Sequence, residues 1–521
     1  MPSLVACCFR NIVKMRAIKT LIFIFSVMML LVTGWFFFPA EGIAVGRLNL
    51  RFPSYSGALA ESDSEEVDVD AVIDKVKKSY EMAYSETLYD SLCFFRDYLT
   101  GNPNRIFLPD DDYTFFDTLF AQFEQARAEG KTLRVMHYGD SQIEMDRISS
   151  VLRQKLQELF GGSGPNMIPA IQPVATISVS QRASGLCRYT VYGDSTTRRA
   201  NHNRYGVMSQ FGQVSGGGTV SFSQSSHSQA FEKVKQISTV SVLLGHNSEG
   251  FTASLKCDTL SVEPKVLDAN DSVSLITWHL PSEVRKGTLS FKGNAEIYAV
   301  LLDGEAGVAL DNVALRGCSG TIFTRINEAV MRQSFDTLNT RLVILQFGGN
   351  RMPGLAGSKS IAAYTKELER QIGYLKQVAP QCTFLFIGPA DMGKSYNGKM
   401  GTWKGLPELN DSLCAMALRN DVAYWDMFHV MGGEGSMAQW VKHTPPLAGP
   451  DYIHFTFKGA QEIGGDLAKS FATYYDFYRL RRRVSEEEVI GFINGDESEN
   501  ERKKPYSRMV PSYNPFKTKE K

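Results

Sequence analysis

Apolar runs and amphipathic segments alternate in two parts of the chain, one on each side of a β-rich middle. The first part contains the apolar run LRVMH at residues 133–137, after which Ile148 and Leu152 lie on one face of a predicted helix. In the second part, the apolar runs at 342–347 and 383–387 are each followed by a helical pattern. Strands that alternate with helices predict a parallel sheet covered by helices on both faces.

The middle of the chain, from about residue 168 to 303, has a different pattern. It contains short alternations of apolar and polar residues, such as ATISVS, TVSFSQ and GTLSFKG, separated by Gly, Ser and Asn. Strands with this spacing and these turn residues predict a β-sandwich. We therefore expect one α/β domain, formed by residues 76–167 and 304–480, with a β-sandwich inserted at 168–303.

The N-terminus contains an uncharged apolar run from Leu21 to Phe38, which follows several basic residues and no acidic one. The run has nearly the length of a membrane-spanning helix, and its basic flank predicts that residues 1–18 are cytoplasmic. We expect an uncleaved anchor at 19–38, followed by a stalk at 39–75. A cleaved signal peptide is the alternative that the sequence leaves open.

Composition excludes several classes of protein. Lys plus Arg and Asp plus Glu both number 56, so the net charge is zero and a dedicated nucleic-acid binder is not expected. Hydrophobic residues make up 43% of the chain, too many for a disordered protein. The cysteines form no C-x-x-C pair and the histidines are scattered, so we expect no metal and no cofactor. The charged end, 481–521, is predicted to be a disordered tail.

Candidate catalytic residues follow the predicted strands. Ser141 comes after the first strand and opens a helix, which exposes its hydroxyl at the edge of the sheet where α/β folds bind ligands. Asn350 and Gly317 follow two later strands, and a glycine lets a backbone N–H approach a ligand closely. His454 comes three residues after Asp451, a spacing at which the carboxylate can fix the imidazole tautomer. Alone, each of these is also typical of an ordinary turn or surface residue.

Taken in order, these motifs resemble the four sequence blocks of the SGNH (GDSL-like) hydrolase superfamily. The matching segments are Gly139-Asp140-Ser141, Asn312 to Gly317, Gly348-Gly349-Asn350 and Asp451 to His454. The resemblance implies a flavodoxin-like, three-layer α/β domain. It implies that Ser141 is the nucleophile and His454 the base, oriented by Asp451. It also implies an oxyanion hole formed by the Ser141 N–H, the Gly317 N–H and the Asn350 side chain.

The long insertion indicates a particular group within this superfamily. The layout is similar to that of periplasmic peptidoglycan O-acetylesterases, in which a carbohydrate-binding-like sandwich interrupts the SGNH domain. That similarity implies a serine esterase that removes O-acetyl groups from a cell-envelope glycan. The enzyme would be anchored in the bacterial inner membrane with its catalytic domain in the periplasm. Its partners would be the acetylated glycan and the membrane. An O-acetyltransferase with the same triad and a non-catalytic glycan-binding protein remain alternatives.

Some residues depart from the family pattern or imitate it. Gln142 and Arg351 stand where the family usually has an apolar residue and an aspartate, and neither change removes a catalytic atom. A second Gly-Asp-Ser ends at Ser195, but no apolar helix follows, so we do not expect a nucleophile there. His137 and His429 show no carboxylate partner at a strand end, and we expect both to be structural.

Overall fold

The computed structural model describes residues 87–258 and 260–495, together with positions 19, 22–30, 32–33, 43–45 and 48–50. The chain divides into two units, Met1–Tyr84 and Ser85–Lys521. In the first unit, the described positions from 19 to 33 are helical, and the strands Ile43–Val45 and Leu48–Leu50 pair antiparallel. Within the described residues, no helix has both the length and the apolar character needed to cross a membrane.

Several predicted segments lie outside these residues. They are the cytoplasmic segment 1–18, the stalk 39–75 apart from its two short strands, and the end of the chain from 496.

The second unit contains α-helices, short 3-10 helices and strands. Its strands in chain order are β1 (Ile106–Phe107), β2 (Thr132–Gly139), β3 (Asn166–Ile168), β4 (Val179–Thr190), β5 (Gln210–Gln224), β6 (Thr239–Gly245), β7 (Phe251–Cys257), β8 (Leu260–Ser261), β9 (Lys265–Leu267), β10 (Ser274–His279), β11 (Lys286–Asp303), β12 (Gly307–Ala314), β13 (Thr340–Gln346), β14 (Thr383–Ile387), β15 (Gly393–Tyr396), β16 (Lys399–Thr402) and β17 (Ala423–Trp425). Its helices are α1 (87–101), α2 (Asp117–Ala128), α3 (Ser149–Phe160), α4 (Glu328–Thr337), α5 (Ser358–Val378), α6 (Leu406–Arg419), α7 (Met427–Val430), α8 (Ser436–Lys442), α9 (Phe457–Arg483) and α10 (Glu486–Asn494). The 3-10 helices are Pro109–Asp111, Ser141–Asp146, Glu232–Lys235, Phe323–Arg325 and Gly349–Gly354.

A six-stranded sheet forms the centre of this unit, in the spatial order β12-β2-β13-β14-β17-β1. The first five strands are parallel, and β1 pairs antiparallel with β17 at the edge. Counted along the chain, the five parallel strands lie in the order 2-1-3-4-5, which is the flavodoxin-like arrangement. The predicted α/β fold with a parallel sheet is confirmed. Ligands of such sheets bind beyond the carboxyl ends at the switch point, which here lies between β2 and β13.

Both faces of the sheet are buried, because successive side chains of a strand point to opposite sides. In β2, Leu133 and Val135 pack into a core with residues of α2, α3 and α9. Met136 and Tyr138 of the same strand pack into a second core with residues of α4, α5 and α6. The central strands therefore read as continuous apolar runs rather than alternating ones.

The β-rich insertion folds around its long final strand, β11. Residues 286–297 of β11 pair with β5, and the same part of the strand pairs on its other edge with β7. After a register shift between Ile297 and Ala299, the strand continues beside β6 and β3. Both halves of β11 contribute to one apolar core. The predicted sandwich is thus a single nine-stranded sheet folded on itself, because one long, bulged strand belongs to both of its halves.

The insertion packs against the α/β domain through apolar and charged contacts. Its residues Tyr205 and Tyr298 lie in the same buried cluster as Met136 of β2. At the end of β11, Asp303 forms an ion pair with Arg134 of β2, which is 3% exposed. Arg134 also donates to Asp311 of β12, at 2.8 Å. Because an unpaired buried charge is very costly, these pairs fix the end of the insertion to the centre of the sheet.

The prediction that a disordered tail begins at residue 481 is wrong for residues 481–494. The helix α9 continues to Arg483, and α10 follows it directly. Arg481 is buried and pairs with Asp117, and α10 buries Val489 and Phe492. The high charge of this segment concealed an apolar face at helical spacing.

Replacing Phe492 by alanine is expected to lower the free energy of unfolding by about 3 kcal/mol, because removing a buried ring leaves a cavity. The ring lies beside Tyr89 and Arg96 of α1. Urea unfolding followed by circular dichroism measures the change. Glu487→Ala, at an exposed position of the same helix, is the control and should change stability by less than about 0.5 kcal/mol. A Phe492→Ala variant as stable as the wild type would contradict the packing of α10.

Candidate active site

Ser141 lies directly beyond the carboxyl end of β2, at the switch point of the sheet. The Asp140 carboxylate accepts the backbone N–H of Gln142 at 2.9 Å and so caps the turn that contains Ser141. Gly139 permits this turn, because a Cβ atom there would lie 2.9 Å from the side chain of Ile143. The local sequence thus turns the chain sharply and presents the Ser141 hydroxyl at the edge of the sheet.

Ser141, His454 and Asp451 form a continuous chain of hydrogen bonds. The Ser141 Oγ lies 2.9 Å from His454 Nε2, and His454 Nδ1 lies 2.7 Å from Asp451 Oδ2. The other Asp451 oxygen accepts the backbone N–H groups of Ile453 and His454 at 3.0 and 3.1 Å. Since Nδ1 faces a carboxylate, it bears the ring hydrogen, and Nε2 accepts from the serine hydroxyl.

The carboxylate in this chain stays ionised. Partial burial acts to raise the pKa of Asp451, but the hydrogen bonds from the His454 ring and from two backbone N–H groups lower it below its ordinary value. The side chains of His454 and Asp451 are 43% and 48% exposed. Even a charged pair contributes little to stability at such exposure, so the role left for this contact is to orient the ring.

Asn350 lies beside the nucleophile turn, as its position after β13 predicts. Its Nδ2 donates to Asp140 Oδ2 at 2.8 Å and to the carbonyl of Cys318 at 3.2 Å. Asp140 is 5% exposed, and burial raises its pKa to about 6 although hydrogen bonds from Gln142 and Asn350 oppose the shift. Both hydrogens of the Asn350 amide are therefore engaged within the protein.

Gly317 lies in the turn after β12 with φ of 74°, next to Cys318. It does not line the cavity beside Ser141. Its neighbour Arg316 donates through Nε to both oxygens of Glu144, at 2.9 and 3.0 Å. Since Glu144 lies three residues after Ser141, this pair connects the Gly317 turn to the nucleophile turn. The structure thus brings Ser141, Asp451, His454 and Asn350 together. Gly317 lies next to Cys318, whose carbonyl accepts a hydrogen bond from Asn350.

Two residues that position the site were not predicted. Gln142 donates through Nε2 to the Ile453 carbonyl at 2.7 Å, which anchors the segment that contains His454. Arg147 donates to the Phe455 carbonyl at 2.9 Å and to the Ser141 carbonyl at 3.1 Å. In the sequence, Gln142 is marked only as a departure from the family pattern. Arg147 gives no signal in the sequence, because its partner lies 308 residues away.

A cavity of about 150 Å³ opens beside the nucleophile. Its polar wall includes Asp140, Ser141, Gln346, Asn350 and His454. Its apolar wall is formed by Phe347, Pro353, Pro389, Ala390, Met392, Met427 and Ile453, with Gln142, Gly349 and Gly388 completing the lining. An apolar cavity with a few convergent polar groups is typical of a small-molecule site.

The residues set aside in the sequence are not part of this arrangement, although His137 contacts Gln346 of the cavity wall. Ser195 is exposed in a loop of the insertion. His429 does have a carboxylate partner, since its Nδ1 lies 2.7 Å from Oδ2 of Asp426, three residues earlier. The expectation that it has none overlooked a spacing identical to that of Asp451 and His454. Among the described residues, no group of three or more His, Cys, Asp or Glu side chains is placed to hold a metal ion.

The pKa of Asp140 gives a test of this geometry. A carboxyl whose folded pKa is raised from 3.8 to about 6 stabilises the fold most below about pH 4, and this contribution is lost as the pH rises through 6. Asp140→Asn cannot titrate. Between pH 4 and 7, the wild type should therefore lose roughly 2–3 kcal/mol of stability relative to the variant. Urea unfolding of both proteins at the two pH values measures the difference, and parallel pH dependences would contradict the burial of Asp140.

Comparison with known proteins finds a family match in the part of the chain that contains most of these site residues. Residues 284–462 match the model of the GDSL-like lipase/acylhydrolase family, a stretch that includes Gly317, Asn350, Asp451 and His454 and begins after Ser141. No curated protein is detectably similar in sequence to the chain.

A solved structure with a TM-score above 0.5 shares the fold, and two others align less well. One described as a peptidoglycan O-acetylesterase in action aligns with a TM-score of 0.55 and 18% identity, over 70% of this chain and 96% of its own. A family two carbohydrate esterase from Cellvibrio japonicus aligns with a TM-score of 0.24 and 9% identity, over 57% and 99%. An acetyl xylan esterase aligns with a TM-score of 0.25 and 15% identity, over 31% and 81%. The family match spans three of the four sequence blocks and confirms the resemblance: the chain contains a GDSL-like lipase/acylhydrolase domain.

Proposed function

We propose that the protein is a serine esterase that removes O-acetyl groups from a cell-envelope glycan such as peptidoglycan. The observation that supports the chemistry is the hydrogen-bonded chain from Asp451 through His454 to Ser141. Ser141 Oγ attacks the ester carbonyl while His454 Nε2 takes its proton, and the imidazolium then returns the proton to the sugar oxygen that leaves. In the second half of the reaction His454 activates a water molecule, which releases the acyl group and regenerates Ser141.

The oxyanion formed during attack needs hydrogen-bond donors. We assign this role to the backbone N–H groups of Ser141 and Gly317 and to Nδ2 of Asn350. Because both Asn350 hydrogens are engaged, one bond must be exchanged when the substrate binds. The bond to the Cys318 carbonyl is the longer and uncharged one, at 3.2 Å against 2.8 Å to Asp140. In our proposal the oxyanion replaces the Cys318 carbonyl, and Asp140 keeps the amide in place.

The shape of the site suits a short acyl group on a large alcohol. The cavity of about 150 Å³ accommodates a small acyl chain against its apolar wall. The side chains of His454 and Asp451 are about half exposed, so the sugar to which the acyl group is attached can remain outside. The fold shared with a structure described as a peptidoglycan O-acetylesterase supports a glycan as this alcohol.

We further propose that residues 19–38 anchor the protein in the bacterial inner membrane and that the catalytic domain lies in the periplasm. The proposal rests on the apolar run from Leu21 to Phe38 and the basic residues before it.

Substitution of the triad tests the esterase mechanism. Ser141→Ala or His454→Ala should lower the turnover of a soluble acetyl ester by about 10⁴- to 10⁶-fold, and Asn350→Ala should lower it by about 10²- to 10³-fold. The release of p-nitrophenol from p-nitrophenyl acetate measures the turnover of a soluble ester. The release of acetate from O-acetylated peptidoglycan measures the turnover of the glycan. Ser195→Ala removes the hydroxyl of the second Gly-Asp-Ser and is the matched control, with activity unchanged. Full activity of Ser141→Ala would overturn the mechanism.

Cell fractionation tests the location. The full chain should sediment with inner membranes and resist extraction by high salt, since the predicted anchor is held by apolar contact. A chain that begins at residue 39 behind a cleavable secretion signal should be recovered in the soluble periplasmic fraction. Recovery of the full chain in a soluble fraction would contradict the anchor without affecting the esterase proposal.

A further inference from the structure

The proposed mechanism makes no use of Gln346, although this residue lines the cavity. It is the last residue of β13 and is 3% exposed. A glutamine amide has an acceptor end and a donor end, so its orientation decides which ligand atoms it favours.

Hydrogen bonds behind the cavity determine that orientation. Asn312 Nδ2 donates to Ser149 Oγ at 2.7 Å. Among the described residues, the acceptor that the structure gives to the Ser149 hydroxyl hydrogen is His137 Nδ1, 2.9 Å away. Burial lowers the pKa of His137 to about 4, which keeps the ring neutral with a single ring hydrogen. Since Nδ1 is the acceptor, that hydrogen is on Nε2, which lies 3.1 Å from Gln346 Oε1.

The donor end of Gln346 is therefore left for the cavity. Among the described residues, the acceptor that the structure gives to its Nε2 is Met427 Sδ at 3.9 Å. A thioether sulfur is a weak acceptor. A buried N–H group without a strong partner is unfavourable, so the site gains from a ligand that brings an oxygen atom to this position.

In the proposed reaction, the part of the substrate that meets Gln346 is the acyl group. Gln346 is almost fully buried, whereas the triad members His454 and Asp451 lie at a half-exposed rim. A glycan chain is too large for the cavity and stays at the rim, so only the acyl group enters.

Building on the proposed esterase function, we propose that Gln346 determines acyl specificity. Its amide N–H favours an acyl group that has an oxygen atom beyond the ester carbonyl, such as glycolyl. It disfavours an apolar extension of the same size, such as propionyl. Acetyl, which has no atom at that position, is accepted.

Paired esters test this proposal. The ratio of kcat/KM for p-nitrophenyl glycolate to that for the propionate is measured in one preparation, each value divided by the ester's hydroxide-catalysed rate. Because both values come from the same enzyme, any inactive fraction cancels. Gln346→Met, which replaces the amide with a thioether of similar size, should lower the ratio by about 10- to 100-fold.

Two further variants complete the experiment. Ser149→Ala removes the donor to His137 Nδ1. The ring hydrogen can then lie on Nδ1, and the Gln346 amide can turn so that its oxygen faces the cavity. The ratio should therefore fall in the same direction. This variant decides the matter if Gln346→Met does not fold. Gln157→Met alters a glutamine of α3 that is buried but does not line the cavity, and it should leave the ratio unchanged.

The outcomes separate the two proposals. Suppose that the wild type hydrolyses both esters through Ser141 and that the ratio changes less than twofold in Gln346→Met. The specificity proposal is then wrong and the esterase proposal stands. Where Gln346→Met does not fold, the same limit applies to Ser149→Ala. If the wild type hydrolyses neither ester nor acetylated peptidoglycan, both proposals are overturned.

Discussion

The parallel sheet imposes the constraint on which the site depends. Parallel strands end at the same edge, so turns that are distant in sequence must meet there. Ser141 and His454 are 313 residues apart, yet their side chains approach to 2.9 Å. Asn350 reaches the same place because β13 is the neighbour of β2. The chemistry of this site is therefore a consequence of strand order, and the individual turns only refine it.

Local patterns were sufficient to predict the fold class and to select Ser141, Asp451 and His454, whose side chains the structure brings together. Ser141 and Asn350 each follow an apolar run, and Asp451 lies three residues before His454, so a single segment of sequence shows each relation. The contacts of Gln142 and Arg147 could not be predicted in this way. Gln142 binds the backbone carbonyl of Ile453, and Arg147 binds that of Phe455. Every residue has a backbone carbonyl, so nothing in the sequence marks these two as partners.

The predictions failed where one pattern concealed another. The charges of 481–494 concealed the face of α10 that buries Val489 and Phe492. In the insertion, alternating runs predicted strands but not that β11 spans 18 residues and serves both halves of the sheet. Strand length and bulges depend on which partner strands are available, and these are known only from the folded chain.

The insertion also affects how this protein is made. It separates β2 from β12, so Arg134 of β2 has neither of its carboxylate partners until 169 and 177 further residues, up to Asp303 and Asp311, have been made. Contacts between such distant residues close long loops, and chains rich in them fold slowly. During synthesis the nucleophile strand emerges early and remains without neighbours until most of the polypeptide has left the ribosome. Chaperones that protect exposed strand edges are therefore expected to matter more for this chain than for a relative whose sheet is uninterrupted.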